Sequence, residues 1–327
     1  MMAMAGRTRG PLRFNWSTPI IMSPHNPRTI YMGGNHLFRS LDRGDHWMII
    51  SPDLTTNDKT KYAPDSPDVA AIEKAKHLPA KVTGGITRDD TGAETHCTII
   101  TISESPLVPG VIWVGTDDGN VQLTRNDGAT WTNVGNIQPK GKGGAARTNV
   151  PAKIPGVPPG TWVSRVEASR FDPGTCYLTF DGHRSDDFKT YVFKTTDYGK
   201  TWTGIAGTLP GNQPAYVIRE DLRNKDLLFL GTEYGAWFSR DAGKTWSSLS
   251  LNLPVVPVHD LLIHPRDNDL IAATHGRGIW IMDDITALRG ASDSVIGQDA
   301  SLFEVSKPGT RWLQIGRGGY SRGDLYF

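Results

Sequence analysis

The chain has 327 residues, enough for one large all-β domain or two ordinary domains. Its 35 basic and 34 acidic side chains give a net charge of +1, which offers no electrostatic basis for binding nucleic acid or an anionic membrane. No stretch approaches the roughly 20 apolar residues of a membrane span. Two cysteines, Cys97 and Cys176, are too few for a disulfide framework, so we expect two buried free thiols.

The first residues of the chain show no recognisable element. They lack the apolar core of a signal peptide, and residues 1–12 are expected to be disordered or cut. The sequence leaves the location open. Either the protein is cytoplasmic, or the chain is an internal piece of a longer protein that is exported to the periplasm or the exterior.

Four segments repeat a small hydroxyl residue, an acid or amide, a glycine and a tryptophan at one spacing. The Asp or Asn side chain can accept backbone N–H bonds and hold a tight turn, and the glycine supplies the positive φ that such a hairpin needs. The tryptophan ring is large enough to pack between neighbouring repeats. We interpret these residues as structural. In chain order they are Asp42, Gly44 and Trp47; Asn126, Gly128 and Trp131; Asp197, Gly199 and Trp202; and Asp241, Gly243 and Trp246.

Three apolar strands precede each of these segments. A turn rich in Pro or Asp joins the first strand to the second, and a Gly turn joins the second strand to the third. A short fourth strand begins at the Trp. Four antiparallel strands recurring at this scale predict an all-β fold of β-propeller blades. A fifth unit has the strands but not the hairpin, because Asp283-Asp284-Ile285 is followed by no Gly or Trp in register. The predicted blades are 13–54, 96–135, 161–206, 215–251 and 258–288, within a propeller at 13–290 that is followed by a C-terminal extension at 291–327 leading toward a further segment.

This strand order predicts two different faces. The turns between the second and third strands lie on the same side as the links between blades, and we call this side the link face. The hairpins with Asp, Gly and Trp lie on the opposite side, the box face. Long links at 55–95, 135–160, 206–214 and 252–257 crowd the link face. Because function is usually carried by loops on a rigid scaffold, we expect a ligand there.

The link face gathers imidazole, guanidinium, phenol and carboxylate groups. Converging groups of this kind suit recognition of a glycan, a peptide or a protein. Structural alternatives stand beside this interpretation: Asp117 and Asp118 can simply hold a Gly turn, and His259 with Asp260 can be a buried hydrogen-bonded pair. The turn residues His275 and Arg277 are equally compatible with either role. The candidate ligand-binding residues are His183, Arg184, Tyr234, His259, His275 and Arg277.

The repeated hairpins resemble the Asp-box, or BNR, repeats of sialidases, xyloglucanase-type glycoside hydrolases and the sortilin-type receptor domain. The stretches RFNWSTPIIMSPHNPRTIYMGGNHLFRSLDRGDHW and HDLLIHPRDNDLIAATHGRGIWIMDD are similar to large bacterial sortilin N-terminal-like proteins, often labelled glycosyl hydrolases. The resemblance covers about residues 12–288 and departs from the pattern at His46, which replaces Thr, and Asn126, which replaces Asp. It implies a ring of more than five blades. We therefore expect a fragment, or missing blades supplied by sequence outside this chain.

Two functions stay open at this stage. We favour a non-catalytic scaffold that binds a peptide, protein or glycan on the link face, because a fold does not fix a function. The alternative is a xyloglucanase-like hydrolase with two carboxylates about 5 Å apart for retention or roughly 6.5–9.5 Å apart for inversion. Its candidate catalytic residues are Asp117, Asp118, Glu233 and Asp260.

Other chemistries are not supported by the sequence. The Arg-Ile-Pro motif of sialidases is absent, and the histidines lack the spacing of metal ligands. No glycine loop that could cradle a phosphate precedes a predicted helix. We predict neither a metal nor another cofactor.

Overall fold

The computed structural model describes residues 4–5, 12–59, 95–135, 154–249, 251–303, 310–314 and 321–325, and these are mostly strand and turn. Five antiparallel sheets follow one another along the chain, each with its strands in chain order. We call them blades 1 to 5. The predicted all-β propeller fold, with about five visible blades, is confirmed.

The strands of each blade have the following bounds. A short strand β1 (Met4–Ala5) pairs in parallel with the last strand of blade 1. Blade 1 contains β2 (Ile20–Met22), β3 (Ile30–Gly33), β4 (Leu37–Ser40) and β5 (Trp47–Ile49). Blade 2 contains β6 (Ile99–Glu104), β7 (Ile112–Thr116), β8 (Val121–Thr124) and β9 (Thr132–Asn133). Blade 3 contains β10 (Trp162–Ala168), β11 (Cys176–Gly182), β12 (Asp187–Thr195) and β13 (Thr203–Gly204).

The remaining elements complete the described chain. Blade 4 contains β14 (Ala215–Glu220), β15 (Leu228–Thr232), β16 (Gly235–Ser239) and β17 (Ser247–Ser248). Blade 5 contains β18 (Val258–Ile263), β19 (Leu270–Thr274) and β20 (Ile279–Met282). Beyond it lie the short helices α1 (Thr286–Gly290) and α2 (Asp293–Ile296), then a hairpin of β21 (Thr310–Gln314) and β22 (Ser321–Leu325). Within the described residues, no helix is long and apolar enough to cross a bilayer.

One strand extends beyond its buried residues, and some sequence-based boundaries cannot be compared with the structure. The third strand of blade 3 begins at Asp187, before its first buried residue, Tyr191, and Asp187 pairs with Gly182 beyond an irregularity in the register. That earlier start is stabilised by the Tyr191 hydroxyl, which donates to the Asp187 carboxylate at 2.7 Å. Most of residues 1–12 and parts of the links 55–95 and 135–160 lie outside the described residues.

The hydrophobic core lies between blades. The strands alternate inward and outward side chains, so each blade presents one apolar side to its predecessor and another to its successor. Cys97 and Cys176 are buried and free, as expected, and burial raises the pKa of both thiols. The clusters join blades 1 and 2 through Tyr31, Leu37 and Ile99; blades 2 and 3 through Trp113, Phe180 and Trp202; blades 3 and 4 through Tyr177, Ile218 and Leu230; and blades 4 and 5 through Phe229, Leu261 and Leu270.

The four Asp-box hairpins share one hydrogen-bond pattern, illustrated by blade 4. Ser239 Oγ donates to Asp241 Oδ1 at 2.8 Å and accepts from the Gly243 amide at 2.8 Å. Asp241 also accepts from the amide and hydroxyl of Thr245 at 2.8 and 2.6 Å. Ala242 and Gly243 both have positive φ, 58° and 91°, which explains why glycine recurs there. In blade 1, His46 Nδ1 lies 2.6 Å from Asp42 Oδ2, so the imidazole takes the place of the Thr hydroxyl.

The box tryptophans tie each blade to the one before it. Trp131 donates to the Ile50 carbonyl at 3.1 Å, Trp202 to Val134 at 3.0 Å, and Trp246 to Ile205 at 2.7 Å. Each accepting carbonyl belongs to the residue directly after the fourth strand of the preceding blade. The box therefore closes a hairpin and stabilises a junction between blades.

The box carboxylates predict a loss of stability in acid. Burial raises the pKa of Asp197, but hydrogen bonds from the Thr201 amide and hydroxyl and from Thr195 outweigh this and lower the pKa to about 2. The pKa of Asp in an unfolded chain is about 3.9. The stabilisation of the folded state by the Asp197 carboxylate is therefore fully present above that pH and is lost as the pH falls through about 2. Urea unfolding at about pH 4 and about pH 2.5 measures it.

The matched variant for this prediction is Asp197→Asn, because blade 2 already carries an amide at the same box position, Asn126. The variant should lose less stability than the wild type over that interval, since its amide cannot titrate. Equal losses in the two proteins would contradict the assignment of this acid dependence to Asp197.

Blade 5 differs from the others because it has three strands within the described residues. After β20 the chain turns at Asp284, and Ile285 becomes fully buried in the cluster between blades 4 and 5. The predicted absence of a box in this unit thus coincides with the absence of a described fourth strand.

Candidate functional site

Backbone irregularities shape the link face. The pairing of the first two strands shifts register between Ala215 and Val217 in blade 4, and between Val258 and Asp260 in blade 5. The extra residues at these bulges are Tyr216 and His259. A bulge re-aims the side chain that it carries and is often found beside functional sites. Here the two bulged rings come together, with centroids 4.3 Å apart.

These two residues belong to a line of rings that crosses three blades. His183 lies edge-on to Tyr216 at 6.3 Å, and His259 stacks on His275 at 5.0 Å. We call His183, Tyr216, His259 and His275 the ring row. His183 comes from the turn after β11, Tyr216 and His259 from the inner strands, and His275 from the turn after β19. The structure thus brings three of the sequence-predicted residues into one row, around a tyrosine that was not among the candidates.

A second aromatic contact extends the site toward blade 2. The Arg184 guanidinium lies 3.9 Å above the Trp162 ring, a favourable cation–π geometry. The His96 ring lies edge-on to the Trp162 ring, with the ring centroids 6.2 Å apart. The candidate surface therefore runs over blades 2 to 5 on the link face.

Asp181 holds the blade 3 part of the site in place. This buried carboxylate lies 2.6 Å from His183 Nδ1 and accepts from Arg184 Nη1 at 2.8 Å. It also accepts from the His183 backbone amide at 3.0 Å. Because its charge is already paired with Arg184, Asp181 orients the two candidate side chains and leaves little net charge at this end.

Glu233 is paired with the ring row as well. The Tyr216 hydroxyl donates a short hydrogen bond to Glu233 Oε2. Burial, followed by this hydrogen bond, raises the pKa of Tyr216 above its ordinary value. Tyr216 therefore stays protonated at neutral pH and acts as a hydrogen-bond donor. This geometry does not activate it as a phenolate nucleophile.

His259 is held in its uncharged form. Partial burial lowers its pKa, and the neighbouring His275 imidazole lowers it further, since two like charges would stand close together. At neutral pH this imidazole can both donate and accept a hydrogen bond.

Asp117 and Asp118 are buried, in keeping with the turn-holding interpretation. Asp117 accepts from the amide and hydroxyl of Thr98 at 2.8 and 2.7 Å. Asp118 accepts from the amide and hydroxyl of Thr56, each at 2.7 Å, and so fastens the blade 1 link to blade 2. Neither carboxylate is open to a ligand, because their residues are 0% and 1% exposed.

The sequence left a buried hydrogen-bonded pair of His259 and Asp260 as an alternative. In the structure both residues are exposed, and within the described residues no hydrogen bond joins them. Asp260 instead bridges the inner strands of blades 3 and 4 by accepting from Arg165 and Arg219, each at 2.9 Å. Burial, then the like charge of Arg219, lowers the pKa of Arg165 to about 10. This carboxylate links blades along the axis.

The remaining candidates are at the edge of the site. Tyr234 and Arg277 are exposed, in the Gly turns of blades 4 and 5. Neither has a ring contact with the ring row in the described part of the chain. Trp162 and Tyr216 were not among the six candidate ligand-binding residues, although the sequence places both on the link face, each at the start of an inner strand just after a long link.

The described residues contain no cluster of three or more His, Cys, Asp or Glu side chains that could hold a metal ion. Groups for hydrogen bonding and ring stacking dominate the surface.

Comparisons with known proteins agree with this architecture. Residues 190–290 match the family model of sortilin Vps10, described as sortilin, neurotensin receptor 3. No curated protein is significantly similar in sequence.

Among solved structures, the GH74 xyloglucanase from Xanthomonas campestris is 18% identical with a TM-score of 0.53, and the alignment covers 81% of this chain and 36% of that one. The extracellular domain of a putative hybrid two-component system from B. thetaiotaomicron is 15% identical with a TM-score of 0.47, covering 86% and 28%. This chain therefore spans about a third of the length of these similar structures. It is a β-propeller built on Asp-box hairpins, similar to sortilin in sequence over residues 190–290 and to the xyloglucanase in fold.

Proposed function

We propose that this propeller is a binding scaffold that holds a glycan across the ring row on its link face. The observation that carries the proposal is the continuous row itself, in which bulges of two inner strands bring Tyr216 and His259 together between His183 and His275. Flat rings flanked by hydrogen-bonding groups suit sugar rings, which present apolar C–H faces and polar edges.

The charges at the site disfavour an anionic ligand. Asp181 is paired with Arg184, and the low pKa of His259 keeps its imidazole neutral. The Glu233 carboxylate accepts from the neutral Tyr216 hydroxyl and would repel an anion. A neutral glycan fits such a surface better than an acidic peptide or a polyanion does. One solved structure of similar fold is named a xyloglucanase, which makes xyloglucan the first probe.

Hydrolysis is the second candidate, and Glu233 is the observation in its favour, as a partly exposed carboxylate at the ring row. A two-carboxylate mechanism needs a partner. The other candidates are occupied: Asp117 and Asp118 are buried, and Asp260 is bound by two arginines. Burial raises the pKa of Glu220, but that carboxyl is bonded to Ser169 and Tyr177 at the far end of β14. The scaffold is therefore our preferred function.

Calorimetric titration with a xyloglucan oligosaccharide, and then with other β-glucan oligosaccharides, tests the proposal. We expect His259→Ala and His275→Ala each to weaken binding by about threefold to tenfold, because each removes one stacking ring. Arg125→Ala is the control, since Arg125 packs over Tyr198 on the box face. Absence of binding to every probe, or an equal loss in the control, would refute the glycan proposal.

The same protein distinguishes binding from hydrolysis. Incubation with xyloglucan should release no oligosaccharide if the propeller is a scaffold. Release that is abolished by Glu233→Gln would establish the hydrolase instead.

We also propose that the propeller occupies residues 13–290 and that its remaining blades come from sequence outside this chain. The support is the row of five blades itself, whose first and last members each have a neighbour on one side within the described residues.

A further inference from the structure

The bulge that carries Tyr216 and His259 recurs at the same position in blades 2 and 3. There too the pairing of the first two strands shifts register, and the extra residues are Ile100 and Ser164. Neither of these side chains offers a ring. The bulge is therefore a repeated feature of the fold, and blades 4 and 5 use it to present the two central rings of the ring row.

Blade 1 enlarges this bulge into a turn. In blade 4 the bulge lies between Pro214 and Val217, which have backbone contacts with the second strand and the turn after it, and two residues lie between them. In blade 1 the equivalent contacts are made by Arg13 and Pro19, whose carbonyls each accept an amide N–H at 3.0 Å. Five residues, 14–18, lie between them. Blade 1 thus has three residues more at this position, and the enlarged bulge carries Trp16.

Hydrogen bonds hold Trp16 at the tip of this turn. The Thr18 amide and hydroxyl both donate to the Asn15 carbonyl, at 3.0 and 2.7 Å, and the Ser17 amide donates to Asn15 Oδ1 at 3.0 Å. Trp16 is 69% exposed, and it is the one exposed tryptophan among those whose burial the structure describes. Single exposed apolar side chains are common, but a large ring on a fixed turn loses little freedom when it binds a ligand.

The backbone beside Trp16 is packed against the blade 2 end of the candidate site. The Phe14 carbonyl accepts from the Thr95 amide at 3.3 Å, and the Phe14 ring stacks on Phe38 at a centroid distance of 5.8 Å. The residue after Thr95 is His96, which lies edge-on to Trp162. The segment that carries Trp16 therefore continues the link-face surface of blades 2 to 5 into blade 1.

The inner strands that carry these bulges converge on one axis. Arg165 of blade 3 reaches past blade 4 and donates to Asp260 of blade 5 at 2.9 Å, a contact that requires the inner edges of the blades to face a common centre. Bulges at one position of several inner strands consequently open on the same mouth. On this geometry Trp16 faces the ring row from the blade 1 side of the mouth.

We propose that Trp16 is a second platform for the glycan, and that the ligand is an extended chain of several sugar units spanning the mouth from blade 1 to blade 5. This inference rests on the proposed function of the ring row. One sugar unit stacks its apolar C–H face on the indole ring, while other units of the same chain contact the ring row. Because the second contact is then intramolecular, a chain that reaches both platforms binds more tightly than a short one.

Calorimetric titration with oligosaccharides of increasing length, from xyloglucan and from other β-glucans, tests the second platform. The affinity of the wild type should rise once the chain spans the mouth. Trp16→Ala should weaken binding of the long oligosaccharides by about tenfold, because it removes a large stacking ring. Binding of the shortest oligosaccharide that the ring row holds should be unchanged. Trp16→Phe keeps a ring and should recover most of the loss.

Phe171→Ala is the matched control. This ring is 41% exposed, but it lies between the first two strands of blade 3 on the box face, so its removal should leave the affinity for every length unchanged. Acrylamide quenching of tryptophan fluorescence gives a second readout. A long oligosaccharide should protect an exposed tryptophan in the wild type and not in Trp16→Phe. Circular dichroism checks that the variants fold.

The outcomes separate this inference from the proposed function. Equal affinity for short and long oligosaccharides would refute the second platform while the ring row stands. The same holds if Trp16→Ala binds the long ones as the wild type does, or if it weakens the short ones to the same extent. Absence of binding at every length would refute the proposed function and this inference with it.

Discussion

Arg289→Ala is expected to lower the free energy of unfolding by about 3–5 kcal/mol, because it removes one partner of a buried ion pair. Arg289 lies at the end of α1, and its Nε and Nη2 donate to the Asp221 carboxylate at 2.8 to 3.0 Å. Its Nη1 donates to Asn268 Oδ1 at 2.6 Å. One side chain thereby fastens the segment after blade 5 to turns of blades 4 and 5.

The loss of stability arises because the Asp221 carboxylate stays buried after Arg289 is removed. The Asp221 side chain is 0% exposed, and without Arg289 it keeps two backbone donors, Arg223 and Asn224, but no opposite charge. Chemical denaturation measures the loss. Arg289→Lys keeps the charge without the planar fork and should recover part of the stability.

A double-mutant cycle separates the ion pair from other effects. The combination of Asp221→Ala and Arg289→Ala should cost less than the two single changes added together, because the double variant leaves no unpaired charge. Simple additivity would show that the two side chains do not stabilise each other.

Trp202→Ala should cost about 3–5 kcal/mol of unfolding free energy, a loss of the size measured for large aromatic residues in a core. The Trp202 ring is 7% exposed and lies edge-on to Trp113 at a centroid distance of 6.3 Å. Its N–H also satisfies the Val134 carbonyl of blade 2. The substitution would thus open a cavity at the junction of blades 2 and 3 and remove a hydrogen bond.

A pair of phenylalanine variants separates these two contributions. The Trp113 indole N–H is buried and has no hydrogen-bond partner within the described residues, so Trp113→Phe loses volume only. Trp202→Phe loses volume and a hydrogen bond and should be the more destabilising by about 1 kcal/mol. Equal effects would mean that the N–H contributes nothing. Oligosaccharide binding by Trp202→Phe should be unchanged, because the box is on the face opposite the ring row.

The candidate site was only partly visible in the sequence. His183, His259 and His275 could be assigned to one face because the strand order of a blade decides on which side each turn lies. Their contact with one another could not be predicted, since it depends on bulges that place Tyr216 and His259 out of the regular alternation. Asp117 and Asp118 were candidate carboxylates for which a turn-holding role was the structural alternative, and their burial against Thr98 and Thr56 distinguishes them from Glu233.

The sequence by itself determined the fold, because the information lies in local chemistry repeated at fixed spacing. An acid that accepts backbone N–H groups, a glycine with positive φ and a large ring specify each Asp-box hairpin without reference to distant residues. The same local pattern predicted that the fifth unit has no Asp-box hairpin. Only the tertiary structure decided which side chains meet, since contacts between blades join residues far apart in the chain. The two ion pairs of Asp260 with arginines and the hydrogen bond from Tyr216 to Glu233 are contacts of this kind.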